Sequence, residues 1–75
     1  MSYPNINAER ARLGLTQEQM GTVIGVSEKS YRNKENGKIP FNSDELEKLK
    51  EKTGRSIDYL LERKENANDG SKDQN

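Results

Sequence analysis

The chain has 75 residues, 28% hydrophobic and 35% charged, which leaves room for one small domain with a single core. It contains no Cys, His or Trp. Structural zinc sites, disulfide frameworks, thiol nucleophiles and imidazole bases are thereby excluded, and carboxylates remain as the only catalytic candidates. We expect no cofactor, no metal site and no small-molecule substrate.

The 13 Lys and Arg balance the 13 Asp and Glu, whereas nucleic-acid-binding proteins usually carry a basic excess. The charges are unevenly placed: residues 25–42 carry four cations and two anions, and residues 41–63 carry five cations and six anions. Nothing near the N-terminus resembles a signal peptide, and the longest apolar runs have two residues. We therefore expect a soluble cytoplasmic protein that does not bind membranes.

Composition divides the chain into three parts. Residues 64–75 contain a single apolar side chain, Ala67, and we expect a disordered polar tail there. Residues 1–4 are expected to form a loose N-terminus, in which Tyr3 is able to cover the core. Residues 5–63 are then the folded domain.

The first two helices follow from their start and stop signals. Asn5 is predicted to cap a first helix, which Gly14 ends and whose inner stripe is Ile6, Arg10 and Leu13. Thr16 opens the second helix with a capping box that includes Gln19. Gly25 ends this helix in a left-handed conformation, and its apolar face consists of Met20, Val23 and Ile24.

Three further helices complete the predicted fold. Their caps are Ser27, Asn42 and Ser56, and the third helix is expected to run to about Asn36 before Gly37 stops it. Gly54 ends the fourth helix. The apolar residues expected inside the last two helices are Leu46, Leu49, Ile57, Leu60 and Leu61. Because no alternating strand pattern competes, the sequence predicts an all-α fold of five short helices.

The second and third helices are joined by a turn of about three residues, which is the spacing of a helix-turn-helix. Gly21 lies inside the second helix, where a close approach of the third helix would explain a small residue. Gly25 permits a positive φ in the turn. Val26 is expected to fill the space between the two helices, with Met20, Ile24 and Tyr31 completing the seam.

The outer face of the third helix is polar and comprises Glu28, Lys29, Arg32 and Asn33. Each of these side chains has a use in a DNA major groove. Arg or Lys donates to guanine O6 and N7, Asn pairs with adenine, and Glu accepts from cytosine N4. A charged, solvated surface is the alternative interpretation of the same residues.

Several short motifs recur in order along the chain: Arg10, residues 14–19, residues 25–27, residues 35–38 and residues 56–61. With these motifs the sequence resembles the Cro and phage-repressor (XRE-like) family of helix-turn-helix proteins across residues 5–63. The family implies a compact five-helix domain whose second helix abuts the DNA backbone and whose third helix enters the major groove of double-stranded DNA.

The resemblance also implies roles for individual residues. Gln17 would anchor a phosphate at the N-terminus of the second helix, Asn36 and Lys38 would touch phosphate, and Arg10 and Glu35 would form an internal ion pair. For Gln17, capping and helix propensity are the alternative explanation. The DNA-binding set predicted in this way is Gln17, Ser27, Glu28, Lys29, Arg32, Asn33, Asn36 and Lys38.

Two residues depart from the family pattern. Lys34 stands where many members carry Trp, Leu or Ile, which predicts a looser docking of the third helix, supported by the aliphatic stem of the lysine. Glu28 places a carboxylate near phosphates, which repel it unless it meets a cytosine amine or a cation.

Two functions remain open from the sequence. The first is a phage-type transcriptional regulator, in a lysis/lysogeny-like switch, that binds operator DNA as a homodimer; Tyr59 is either part of its interface or part of the core. The second is an antirepressor that docks onto a partner phage repressor, similar to small temperate-phage modulators of repression; zero net charge and Glu28 favour it. Catalysis by the carboxylates Asp44, Glu45 and Glu47 is not expected. Asp44 and Glu45 lie in the first turn of the fourth helix, where the helix dipole stabilises a negative charge.

Overall fold

The computed structural model describes residues 2–63, and within them the chain folds into five helices without strands. The helices are α1 (Pro4–Arg12), α2 (Gln17–Ile24), α3 (Glu28–Glu35), α4 (Ser43–Thr53) and α5 (Ile57–Leu60). The all-α, five-helix prediction is therefore confirmed. The predicted polar tail at residues 64–75 lies outside the described residues. No helix among residues 2–63 is long and apolar enough to cross a membrane.

One small core holds the five helices together. Its buried members come from every helix: Ile6, Met20, Ile24, Tyr31, Leu49 and Leu60. A ring of half-buried apolar residues packs around them, including Leu15, Val23, Val26, Phe41, Leu46 and Leu61. Because the apolar residues are few, polar side chains fill much of the remaining buried volume.

Local capping chemistry fixes where most helices begin. The Thr16 hydroxyl accepts from the backbone amide of Gln19 while the Gln19 side chain accepts from the Thr16 amide, so the predicted capping box is confirmed. Ser27, Asn42 and Ser56 cap α3, α4 and α5 as predicted. Asn42 also forms a second, reciprocal capping box with Glu45.

The start of α1 differs from the prediction. The helix begins at Pro4, whose fixed φ suits the first helical position, and Tyr3 is the N-cap residue without a side-chain cap. Asn5 is 7% exposed and donates instead to the Tyr59 carbonyl oxygen at 2.8 Å. Tyr3 packs against Phe41 with ring centroids 5.9 Å apart. Pro4 is therefore the first helical residue, and Tyr3 lies against Phe41 as the N-cap of α1.

The turn between α2 and α3 has the predicted geometry. Gly25 adopts φ +83°, and its amide and that of Val26 bond back to carbonyls of α2. A Cβ on Gly21 would lie 2.9 Å from the Val26 carbonyl oxygen and 3.3 Å from the Tyr31 Cβ. The chain therefore needs a residue without a side chain at this position, because α3 crosses α2 there at contact distance.

Candidate nucleic-acid interface

The outer face of α3 is free of the core and carries the side chains that the sequence analysis assigned to base reading. Glu28, Lys29 and Arg32 are exposed, and Asn33 is half-buried at the edge of the same face. Opposite this face, Tyr31, Lys34 and Glu35 are buried. The helix thus presents one polar face outward while its other face is fixed to the domain.

Glu28 and Arg32 contact each other on the outer face. The Glu28 Oε2 lies 3.3 Å from the Arg32 Nη2, one helical turn away, and both side chains remain about half exposed. Sequence analysis placed both residues in the groove but did not predict this pair. The carboxylate of Glu28 therefore partly neutralises the positive charge of Arg32 in the free protein.

Glu35 is the buried centre that holds α3 in place. Its Oε2 accepts from the Arg10 Nε at 3.0 Å and from the Tyr31 hydroxyl at 2.9 Å, and its Oε1 accepts from the Gln17 Nε2 at 2.9 Å. The Arg10 Nη1 also donates to the Leu15 carbonyl oxygen at 3.0 Å. The predicted ion pair between Arg10 and Glu35 is present, and it joins α1, α2 and α3 at one carboxylate.

The protonation states in this cluster follow from its contacts. The hydrogen bond to the Glu35 carboxylate raises the pKa of Arg10, so the guanidinium stays charged. Burial, and then the negative charge of Glu35, raise the pKa of the Tyr31 hydroxyl far above its ordinary value of 10.0. The Tyr31 hydroxyl therefore keeps its proton at neutral pH and donates it to Glu35.

Gln17 points inward, which the sequence analysis did not predict. One of its amide hydrogens is committed to Glu35, and the Gln19 amide is used by the Thr16 cap. The second side-chain hydrogen of Gln17 and the backbone amides of Gln17 and Glu18 are the groups at this end of α2 that are available for a phosphate. The residue thus lies at the expected N-terminus of α2, while its side chain ties that end of the helix to α3.

The segment after α3 places the remaining predicted residues near one another. Asn36 is the C-cap of α3 and is exposed. The carbonyl oxygen of Asn33 accepts from the amide of Lys38 at 2.9 Å, which closes the turn around Gly37 at φ +86°. Ser27, at the other end of the helix, is exposed and uses its hydroxyl oxygen to cap α3. The eight predicted residues therefore lie at the two ends of α3, on its outer face and at the start of α2.

Lys34 does not loosen the seam as predicted, because its ammonium is paired inside the domain. The side chain is 10% exposed, and its Nζ lies 3.1 Å from the Glu45 Oε1 and 3.1 Å from the Pro40 carbonyl oxygen. The pair joins α3 to the start of α4. It also removes Lys34 from the cations available at the surface.

A third buried carboxylate, Glu9, was not predicted from the sequence. It is bound by Arg12 at 2.6 Å and by Arg55 at 3.1 Å, and so connects α1 to the segment between α4 and α5. The hydrogen bond from Arg12 holds the pKa of Glu9 below its ordinary value of 4.5. The i,i+3 spacing of Glu9 and Arg12 was visible in the sequence, but Arg55 is 46 residues from Glu9.

Taken together, two short helices at helix-turn-helix spacing, a buried anchor for the second of them and an exposed polar face define a helix-turn-helix domain, a class that indicates DNA-binding regulation of transcription. A family model described as the antitoxin Xre-like helix-turn-helix domain matches residues 9–51, more than half of the chain. The protein belongs to this family. No curated protein and no solved structure gives a significant match.

Proposed function

We propose that this protein binds operator DNA through α2 and α3 and regulates transcription by occluding a promoter, as one arm of a phage-type, lysis/lysogeny-like switch. The observation that carries the proposal is the outer face of α3, where base-reading side chains project from a helix whose opposite face is fixed by Glu35. The resemblance to Cro and phage repressors supports the phage setting.

In this proposal, Glu28, Lys29, Arg32 and Asn33 face the bases, and residues at the helix ends contact the backbone. The backbone contacts are assigned to Gln17, Ser27, Asn36 and Lys38. A rigid α3 supports sequence reading, because side chains on an anchored helix meet base edges at fixed positions.

A single module of this size offers a small interface, so the proposal includes a homodimer on two half-sites about one helical turn apart. Two large apolar side chains are exposed among the described residues, Ile39 at 40% and Tyr59 at 38%. Their exposure supports a pairing surface, and Tyr59 is the residue that the sequence left open between core and interface.

The test is selection of binding sites from a random duplex library at about 0.1 M salt, where screening leaves specific contacts measurable. We expect enrichment of a spaced inverted repeat and its loss in an Arg32→Ala, Asn33→Ala double variant. Lys50→Ala, an exposed change on α4, is the matched control and should select the wild-type site. If wild-type protein with a helical circular-dichroism spectrum enriches no sequence, operator binding by this chain alone is refuted.

The second candidate is an antirepressor that binds a partner repressor protein. Charge favours it, because Arg32 is paired with Glu28 and Lys34 with Glu45, which weakens the attraction of the α3 face for phosphates. The antitoxin in the family description is also compatible with a protein partner. Loss of a protein complex, rather than of DNA binding, in the Arg32 and Asn33 double variant would identify this function.

A further inference from the structure

The ion pair between Glu28 and Arg32 lies where base contacts are expected. Glu28 is the first residue of α3, and recognition helices contact base edges mainly with their N-terminal residues. Arg32 follows one turn later on the same face. Both side chains stay about half exposed, so the pair contributes little to stability and its charges are accessible to a ligand.

The pair has hydrogen-bonding capacity left over. The Arg32 guanidinium has five N–H donors, and a guanine takes only two of them through O6 and N7. The ion pair is formed between the Arg32 Nη2 and the Glu28 Oε2, and the Glu28 Oε1 is available to accept from a cytosine N4. Both residues can therefore contact bases without separating.

The same carboxylate discriminates against guanine and thymine. Guanine presents O6 and N7 and thymine presents O4, so either base opposite Glu28 sets an acceptor against a carboxylate. Lys34 is bound to Glu45 inside the domain, which leaves Lys29 and Lys38 as the exposed cations nearest along the chain.

We propose that Glu28 and Arg32 read DNA as one unit, in which Arg32 donates to a guanine and Glu28 accepts from a cytosine in the same or the next base pair. The operator half-site then contains G·C pairs where it faces the first turns of α3. This inference rests on the proposed function and adds to it the base content of the DNA and the residue that enforces it.

The experiment repeats the site selection with Glu28→Gln, which keeps the shape of the side chain and removes its charge. We expect the cytosine preference to fall by about tenfold and adenine to gain, because an amide pairs with adenine N6 and N7. Glu18→Gln is the matched control, since Glu18 is an exposed carboxylate in the first turn of α2. Glu18→Gln should leave all base preferences unchanged. It removes one negative charge, as Glu28→Gln does, and should therefore show the same general gain in affinity for DNA.

Affinities for the selected site provide a second measurement. The affinities of Glu28→Gln, Arg32→Lys and the double variant are each compared with that of the wild type. If the two residues read DNA as one unit, the factor by which the double variant loses affinity is smaller than the product of the two single-variant factors. Simple multiplication of the losses, unchanged base preferences in Glu28→Gln, or a selected site without G·C pairs facing α3 would each overturn the inference and leave operator binding standing. Failure of the folded wild-type protein to select any site would overturn both.

Discussion

Replacing Glu35 with Gln removes the carboxylate on which α1, α2 and α3 converge. Four hydrogen bonds reach its two oxygens, from Arg10 twice, from Gln17 and from Tyr31. The amide of Gln retains one acceptor oxygen, and it turns an NH2 group toward donors that the second carboxylate oxygen had accepted from. The guanidinium of Arg10 also loses its counter-charge.

The expected loss of stability is about 3 kcal/mol. Breaking a buried ion pair by removing one partner costs about 3–5 kcal/mol. We take the lower end because the Arg10 side chain is 17% exposed and keeps its bond to the Leu15 carbonyl oxygen. A domain of about 60 residues is stable by roughly 3–9 kcal/mol, so the variant should lose between about one third and all of its stability at 25 °C.

The assay is urea denaturation followed by far-ultraviolet circular dichroism. Glu28→Gln is the matched control, because it makes the same chemical change on the same helix at a side chain that is 49% exposed. We expect the control to change the free energy of unfolding by less than about 0.5 kcal/mol. If Glu35→Gln loses no more stability than Glu28→Gln, the assignment of Glu35 as the anchor of α3 is refuted.

Three further predictions concern the packing of the domain. Gly21→Ala should destabilise it by about 1–2 kcal/mol in urea denaturation despite a gain in helix propensity, because the new Cβ meets the Val26 carbonyl oxygen at 2.9 Å; equal or greater stability would contradict this. The pKa of Glu9 is lowered on folding, so its contribution to the free energy of unfolding is complete above the ordinary value of 4.5 and is lost as the pH falls through the lower pKa of the folded state. The urea midpoint of Glu9→Gln should therefore fall less on acidification than that of the wild type. Lys34→Met should cost about 3 kcal/mol by leaving the buried Glu45 without its cation, and adding Glu45→Gln should recover most of that loss; a double variant no more stable than Lys34→Met would refute this account of the buried pair.

Local chemistry explains why the helices could be predicted from the sequence. A capping box such as that of Thr16 and Gln19 closes between groups three residues apart, and a left-handed glycine such as Gly25 acts on its own turn. Neither depends on how the helices pack. Asn5 shows the limit of this reasoning: a residue type that favours caps was placed at a cap, but its amide is used 54 residues away at Tyr59.

The residue pattern alone predicts the five helices, the turn that joins α2 to α3 and the polar outer face of α3, whereas the pair between Arg10 and Glu35 was predicted from the family resemblance. Packing in three dimensions accounts for the burial of Lys34 against Glu45, for the inward turn of Gln17 and for the contact by which Glu9 joins α1 to the segment between α4 and α5. The physical reason is that charged side chains are mostly solvent-exposed, so exposure is what their presence in a sequence predicts. Its burial is favourable only when packing brings a partner of opposite charge, often far along the chain, within hydrogen-bond distance.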